Sequence, residues 1–229
     1  MTTSLKIDFV SDVSCPWCVI GLKALEQAIE RVGADIKVNL HFQPFELNPA
    51  MGPQGQEITE HITEKYGITA AQAHANRENI RARGAEFGFK FSMANDAGGG
   101  RSRIYNTFNA HRLLHWAALK SENLQKSLKE TLFKTYFTDG QSPGSLDVLV
   151  AAAGIAGLDL IEAREVLESG AYAAEVRERE DFYTSAGIRS VPAVIINDRH
   201  LISGGQPVEV FENALRQIAA EGTLDRRES

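Results

Sequence analysis

The 229-residue chain holds only two cysteines, seven prolines and two tryptophans. A stabilising disulfide framework needs several cysteines closing long loops. Here the pair, Cys15 and Cys18, closes almost none. The longest apolar-rich stretch, near 148–158, is too short to cross a bilayer. Positive charge is not in excess either. The 24 Lys+Arg face 30 Asp+Glu, a formal net charge of -6, so the chain has no general pull toward phosphate backbones or anionic lipid. Neither a nucleic acid nor a membrane is expected as partner. Met1 to Asp8 lack a basic segment followed by an apolar one, so no secretion signal is expected and the cytoplasm is the expected location.

What is present fits a folded α/β chain, since 43% hydrophobic and 24% charged residues place it in the ordinary globular class. Leu5 to Val10 reads as a strand, with Leu5, Ile7 and Phe9 on one face. After the turn Ser11-Asp12-Val13-Ser14 a helix is expected, because Pro16 suits a first helical position where no backbone donor is needed. Cys15, Cys18, Leu22, Leu25, Ile29 and Val32 then recur at three- and four-residue steps, one apolar face ending near Gly33. Ile36 to Phe42 alternates as a second strand, and Gln43 to Gln56, with three prolines, reads as a loop.

From Glu57 to Gly187 the pattern is helical. Thr69-x-x-Gln72 and Asp159-x-x-Glu162 resemble capping boxes, and Gly98-Gly99-Gly100 and Ser142-Pro143-Gly144 mark breaks. Ala193 to Asn197 and His200 to Ser203 read as paired strands, and Val208 to about Ala220 as a closing helix. This order predicts a thioredoxin-like fold with a large helical insertion. The thioredoxin-like domain would comprise 1–56 and 171–229, the inserted helical domain 57–170, with a cleft between them as a place for binding.

Cys15-Pro16-Trp17-Cys18 carries the chemistry. Three residues along a helix put Cα atoms about 5 Å apart, within reach of a disulfide, so the bond can open and close without moving the fold. Free N–H groups and partial positive charge at the helix start stabilise a thiolate, and such cysteines titrate roughly between 3.5 and 7.5 rather than near 8.5. Cys15, at the exposed end, is the expected attacking thiolate. Cys18, one turn deeper, is the expected resolving thiol. Pro16 and Trp17 add no charge, and Trp17 offers either an apolar surface to a partner or plain packing. Two thiols serving only as small apolar side chains would not require this spacing.

Together with these four residues, Ser11-Asp12-Val13-Ser14 before them, Asn106-Thr107-Phe108-Asn109-Ala110-His111-Arg112, Val191-Pro192 and Ser203-Gly204-Gly205-Gln206-Pro207 resemble the DsbA family of thioredoxin-fold oxidoreductases, and its FrnE-like branch in particular. The resemblance spans nearly the whole chain. It implies a cis-proline at Pro192 beside the cysteine pair, which would leave the Val191 backbone free to pair with an extended substrate segment. It also suggests Asp8 as a proton acceptor for Cys18, although the spacing is one residue longer than the family's, and His111 and Arg112 as cleft residues.

His111 and His115 share a helix face, but their distance from the cysteines is far longer than a zinc finger allows, and no metal is expected. Gly98-Gly99-Gly100-Arg101 is no phosphate loop, since neither a preceding strand nor a following Gly-Lys-Ser/Thr frames it. The expected function is thiol–disulfide exchange on protein or small dithiol substrates. No bound cofactor is expected, with glutathione open as a co-substrate. The alternative is a glutathione-dependent isomerase or transferase similar to 2-hydroxychromene-2-carboxylate isomerase or the kappa-class glutathione transferases, and a third reading is a non-catalytic binder using the cleft. Oligomeric state has no sequence signature here.

Overall fold

The computed structural model describes residues 3–92 and 103–224. Strand β1 (Thr3–Ser11) lies inside a four-stranded sheet between β2 (Ile36–Pro44), which runs parallel to it, and β5 (Ala193–Ile196), which runs antiparallel; β6 (His200–Ser203) pairs antiparallel with β5. Leu5, Ile7 and Phe9 stand opposite Val38, Leu40 and Phe42. The expected alternation holds only in the first half of β1, because Phe9 to Ser11 are all buried. Such continuous burial is what a strand covered on both faces shows.

Helix α1 (Pro16–Val32) starts with Pro16 in its first turn and ends at Gly33, whose φ of 69° most residues avoid. Its buried face is wider than the expected stripe and takes in Val19, Ile20, Ala24 and Ala28. The reason is flanking cover, since α9 (Val208–Leu224) and α3 (Ala70–Glu86) both pack on α1. Between β2 and β5 lie α2 (Ile58–Tyr66), α3, α4 (Phe108–Lys120), α5 (Glu122–Phe137), α6 (Leu146–Ile155), α7 (Leu160–Ser169) and α8 (Ala173–Ser185). A two-residue pairing of β3 (Gln56–Glu57) with β4 (Arg103–Ile104) closes off α2 and α3. Gly98-Gly99-Gly100-Arg101 and the tail beyond Leu224 lie outside the described residues.

The capping signals differ in outcome. Thr69 and Gln72 form the reciprocal box. Asp159 accepts from the Ile161 and Glu162 N–H groups, but Glu162 turns away to pair with Lys120 of α4 at 2.5 Å. The helical stretch feeds two cores. Ile58, Ile80, Phe91, Ile104, Phe133 and Phe137 join the core of the sheet, α1 and α9. Leu113, Trp116, Leu128, Leu132, Leu149 and Leu167 form a second, and Val13, two residues before Cys15, is buried in it. Helix α5 contributes to both, so the segment carrying the cysteines is tied to the helical stretch as well as to the sheet.

Two glycines bring α1 against the loop that follows β6. A Cβ on Gly21 would sit 2.9 Å from Pro192 Cγ and 3.3 Å from Gly205 Cα, and one on Gly205 would sit 3.0 Å from the Trp17 carbonyl oxygen. Gly21→Ala should gain about 1 kcal/mol from helix propensity but lose about 1–3 kcal/mol to overpacking. We expect a net loss of roughly 1 kcal/mol, read as a lower urea midpoint, where an open helix site would show a rise.

Candidate active site

The turn after β1 is built around one carboxylate. Asp12 Oδ1 accepts from the Ser14 N–H at 3.0 Å and Oδ2 from the Leu47 N–H at 2.7 Å, while its carbonyl accepts from the Cys15 N–H at 3.2 Å. The Asp12 carboxyl is buried, which by itself would push its pKa up. His111 beside it and the two backbone N–H donors outweigh burial and hold it below the usual carboxylate range. His111 Nε2 lies 3.8 Å from Oδ1.

The chain then enters α1 with Cys15 as N-cap, in extended backbone (φ -95°, ψ 113°), where the first free N–H groups of the helix converge. Cys15 Sγ donates to the Val191 carbonyl at 3.6 Å, and the Cys18 N–H donates to the Cys15 carbonyl at 3.1 Å. The Val191–Pro192 bond is cis. Cys15 and Cys18 are not bonded to each other in this structure. Cys15 was expected at an exposed helix end. It is instead only 4% exposed, because the Val191–Pro192 segment folds over it. Cys18 has no exposure. Burial pushes its thiol well above the ordinary value, and the hydrogen bond and charge of Cys15 push it further, with Lys129 pulling back.

The model of the DSBA-like thioredoxin domain family matches residues 6–216. The chain belongs to this family of thiol–disulfide oxidoreductases. A curated relative, the uncharacterized protein YwbO of Bacillus subtilis (strain 168), is 29% identical over 216 residues, covering 94% of this chain and 96% of that one. Among solved structures, the probable DsbA oxidoreductase SCO1869 of Streptomyces coelicolor is 32% identical with a TM-score of 0.81, covering 93% of this chain and 89% of that one. A 2-hydroxychromene-2-carboxylate isomerase superposes with a TM-score of 0.68 over 95% and 98% of the two chains, at 13% identity, and shares the fold alone.

Within this DsbA-like frame the other expected site residues separate. Asp8 is buried but engaged elsewhere. Its Oδ1 accepts from Gln43 Nε2 at 2.6 Å and its Oδ2 pairs with Lys6 Nζ at 3.0 Å. The strand runs on to Ser11, about 10 Å beyond Asp8, and carries the cysteine turn away from it. The acid brought to the cysteines is Asp12. Arg112 turns to α7: its guanidinium donates to the carbonyls of Val166, Leu167 and Ala171, at and just beyond the C-terminal end of that helix, and to Asn109 Oδ1. A buried guanidinium here satisfies carbonyls that the helix leaves unpaired.

His111 lines a cavity of about 210 Å³ walled also by His41, His115, Gln125, Lys129 and Arg179. Trp17 is half-buried on the first core, with its ring edge against Gly205. Pro16 lines an apolar groove of about 90 Å³ with Leu47, Ile58, Ile62 and Tyr66. Tyr66 is 58% exposed, and burial first, then the charge of Cys15, pushes its hydroxyl up. Among the described residues no group of three or more His, Cys, Asp or Glu is arranged to hold a metal ion.

Asp12, Tyr66 and Lys129 were not singled out from the sequence. Lys129 is fully buried, and its Nζ lies 4.9 Å from the centre of the Phe133 ring, without a hydrogen-bond partner among the described residues. The signal was present in α5, where Gln125 and Lys129 occupy the same helical spacing as the buried Leu132 and Phe133.

Burial lowers the Lys129 pKa from 10.5 to about 8, with the charges of Cys18, Asp12 and Cys15 opposing the shift. Between these values the unfolded chain holds the proton more tightly, so this group's contribution to stability rises with pH through that window, and its penalty is complete below it. The penalty is on the order of 3 kcal/mol. Lys129→Met should therefore raise the urea midpoint at neutral pH, with the gain over wild type shrinking as the pH approaches 10.5. Arg112→Lys should do the reverse. An ammonium cannot satisfy the same fork of carbonyls, and a loss of about 2–3 kcal/mol in urea unfolding is expected, with the thiol-exchange rate of the folded protein unchanged.

Proposed function

We propose that the protein exchanges disulfides with protein or small dithiol substrates through Cys15 and Cys18, in the cytoplasm and in the manner of the FrnE-like branch. In the reducing direction Cys15 Sγ attacks a substrate disulfide, and one substrate sulfur leaves with its electron pair and takes up a proton. Cys18 then attacks Cys15 Sγ in the mixed disulfide and expels the second substrate sulfur as a thiol. Two electrons pass from the cysteine pair to the substrate, and the pair ends as a disulfide. The opposite direction runs the same steps backward.

The observation that carries this reading is the stacking of two thiols on one helix start. Cys15 is the N-cap residue, turned to the Val191 carbonyl, and Cys18 is sealed one turn beneath it. An extended substrate segment placed along Val191 would bring its sulfur to Cys15, and the groove formed by Pro16, Leu47, Ile62 and Tyr66 suits an apolar side chain next to it. Glutathione is the small thiol we propose for returning the pair to its starting state. The second reading, a glutathione-dependent isomerase, needs one polar group at position 15 and gives the sealed thiol at position 18 nothing to do.

Cys15→Ser should abolish reduction of insulin disulfides, and Cys18→Ser should accumulate a mixed disulfide visible by mass spectrometry. Full turnover by Cys18→Ser alongside a dead Cys15→Ser would favour the one-thiol isomerase instead. Titration against glutathione buffers should show a two-electron couple in the wild type, and its absence would exclude exchange.

A further inference from the structure

Lys129 is a charge that the exchange steps above do not use. It is fully buried, its Nζ has no hydrogen-bond partner among the described residues, and an unpaired buried ammonium is a costly group to keep. The groups that face it come from three directions. Helix α5 is fastened alongside α1 by the Lys23–Glu130 and Lys126–Glu26 pairs. Val19, next to Cys18, lines one cavity with Glu130, next to Lys129, and Phe133. Cys18 lies on α1, and Cys15 and Asp12 on the turn before it. Across the 210 Å³ cavity stand His41 at β2, His111 and His115 on α4, and Arg179 on α8, with no carboxylate among the described residues of the wall. Asp12 already accepts from the Ser14 and Leu47 N–H groups, with His111 Nε2 3.8 Å from its Oδ1. His41 is turned to Glu122 at 3.7 Å. Cys15 stands at the free N–H groups of the helix start, which leaves Cys18 as the group here that gains a negative charge with neither a cation nor a helix start beside it.

We infer that Lys129 is the counter-ion of the Cys18 thiolate, supplied by the helical stretch to drive the resolving step. The inference rests on the exchange reading given above. In the mixed disulfide Cys15 Sγ is bonded to the substrate and carries no charge, so Cys18 must ionise inside a dry core, which burial opposes. The ammonium of Lys129 stabilises the thiolate that forms. That thiolate bonds to Cys15 Sγ, the Cys15–substrate bond breaks, and the departing substrate sulfur keeps the electron pair and ends with the proton that Cys18 gave up. Lys129 is thus a positioning residue, acting through Cys18 and not on the substrate. It also gives a reason for a cation to stand at a site where an apolar residue would be more stable.

The reaction with 5,5'-dithiobis(2-nitrobenzoate) separates the two thiols. Attack by Cys15 releases one equivalent of thionitrobenzoate in a step that depends on reagent concentration, and attack by Cys18 on the resulting mixed disulfide releases a second in a concentration-independent phase. In Lys129→Met the second phase should slow about tenfold at neutral pH and its pH midpoint rise by about one unit. The first phase should stay within about threefold of wild type, because Cys15 has its own stabilisation at the helix start. Lys129→Arg should recover most of the second phase. Should Met not be accommodated, Lys129→Gln removes the charge while keeping a polar head and must give the same shift.

Superimposable pH profiles of the second phase in wild type and a folded, charge-removing variant would overturn the inference while leaving the exchange reading standing. A wild type that releases a single equivalent would overturn the exchange reading itself.

Discussion

The position of Cys15 depends on the buried Asp12 carboxylate more than on any other single interaction. A strand that ends at Ser11 and a helix that starts at Pro16 leave only four residues for the turn, and the backbone N–H groups there need partners once they are buried. Asp12 takes Ser14 on one oxygen and Leu47, beyond β2, on the other. Val13 plugs into the second core, and Cys15 N–H closes the turn onto the Asp12 carbonyl. The nucleophile is held by the sheet, by the loop after β2 and by the helical stretch together.

The second constraint is close approach. With Gly21 and Gly205 removing side chains at the contact, Pro192 and the backbone of the loop after β6 settle directly on α1. That contact brings the Val191 carbonyl to Cys15 Sγ and leaves the thiol almost covered. A glycine inside a helix costs stability on propensity alone. Here the smaller residue stabilises the assembly because anything larger would push apart two segments that the site requires together.

The helical stretch is more than an appended lobe. Helix α5 packs Leu128 and Leu132 into one core and Phe133 and Phe137 into the other. Gln125 pairs through its side chain with both backbone groups of Phe42 on β2. From this doubly anchored helix, fastened to α1 by the Lys23–Glu130 and Lys126–Glu26 pairs, Lys129 points into the interior. Its burial sets stability against reactivity within one residue, the usual tension where a folded core must also hold an ionisable group in a reactive state.

Local patterns made much of this legible. Alternation identified β1 and β2, a buried apolar run and its partner across a short turn identified β5 and β6, the three- and four-residue steps and Pro16 identified α1, and the Cys15–Cys18 spacing on that helix identified the reactive pair, because strand, helix and cap preferences act over a few neighbouring residues. What lies around the pair was decided elsewhere. Asp8 and Asp12 both precede the cysteines in the sequence, and only the length of β1 determines which carboxylate travels with the turn. His111 and Arg112 are adjacent, and α4 sends one toward the cavity and the other to the end of α7. Lys129 is more than a hundred residues from Cys18 and reads as one more helix-surface lysine until two cores close around it. Residue type and near spacing therefore determined that two sulfurs could exchange a bond. Which charges, carbonyls and walls meet those sulfurs depended on contacts between distant segments, where desolvation and close packing act without leaving a local mark.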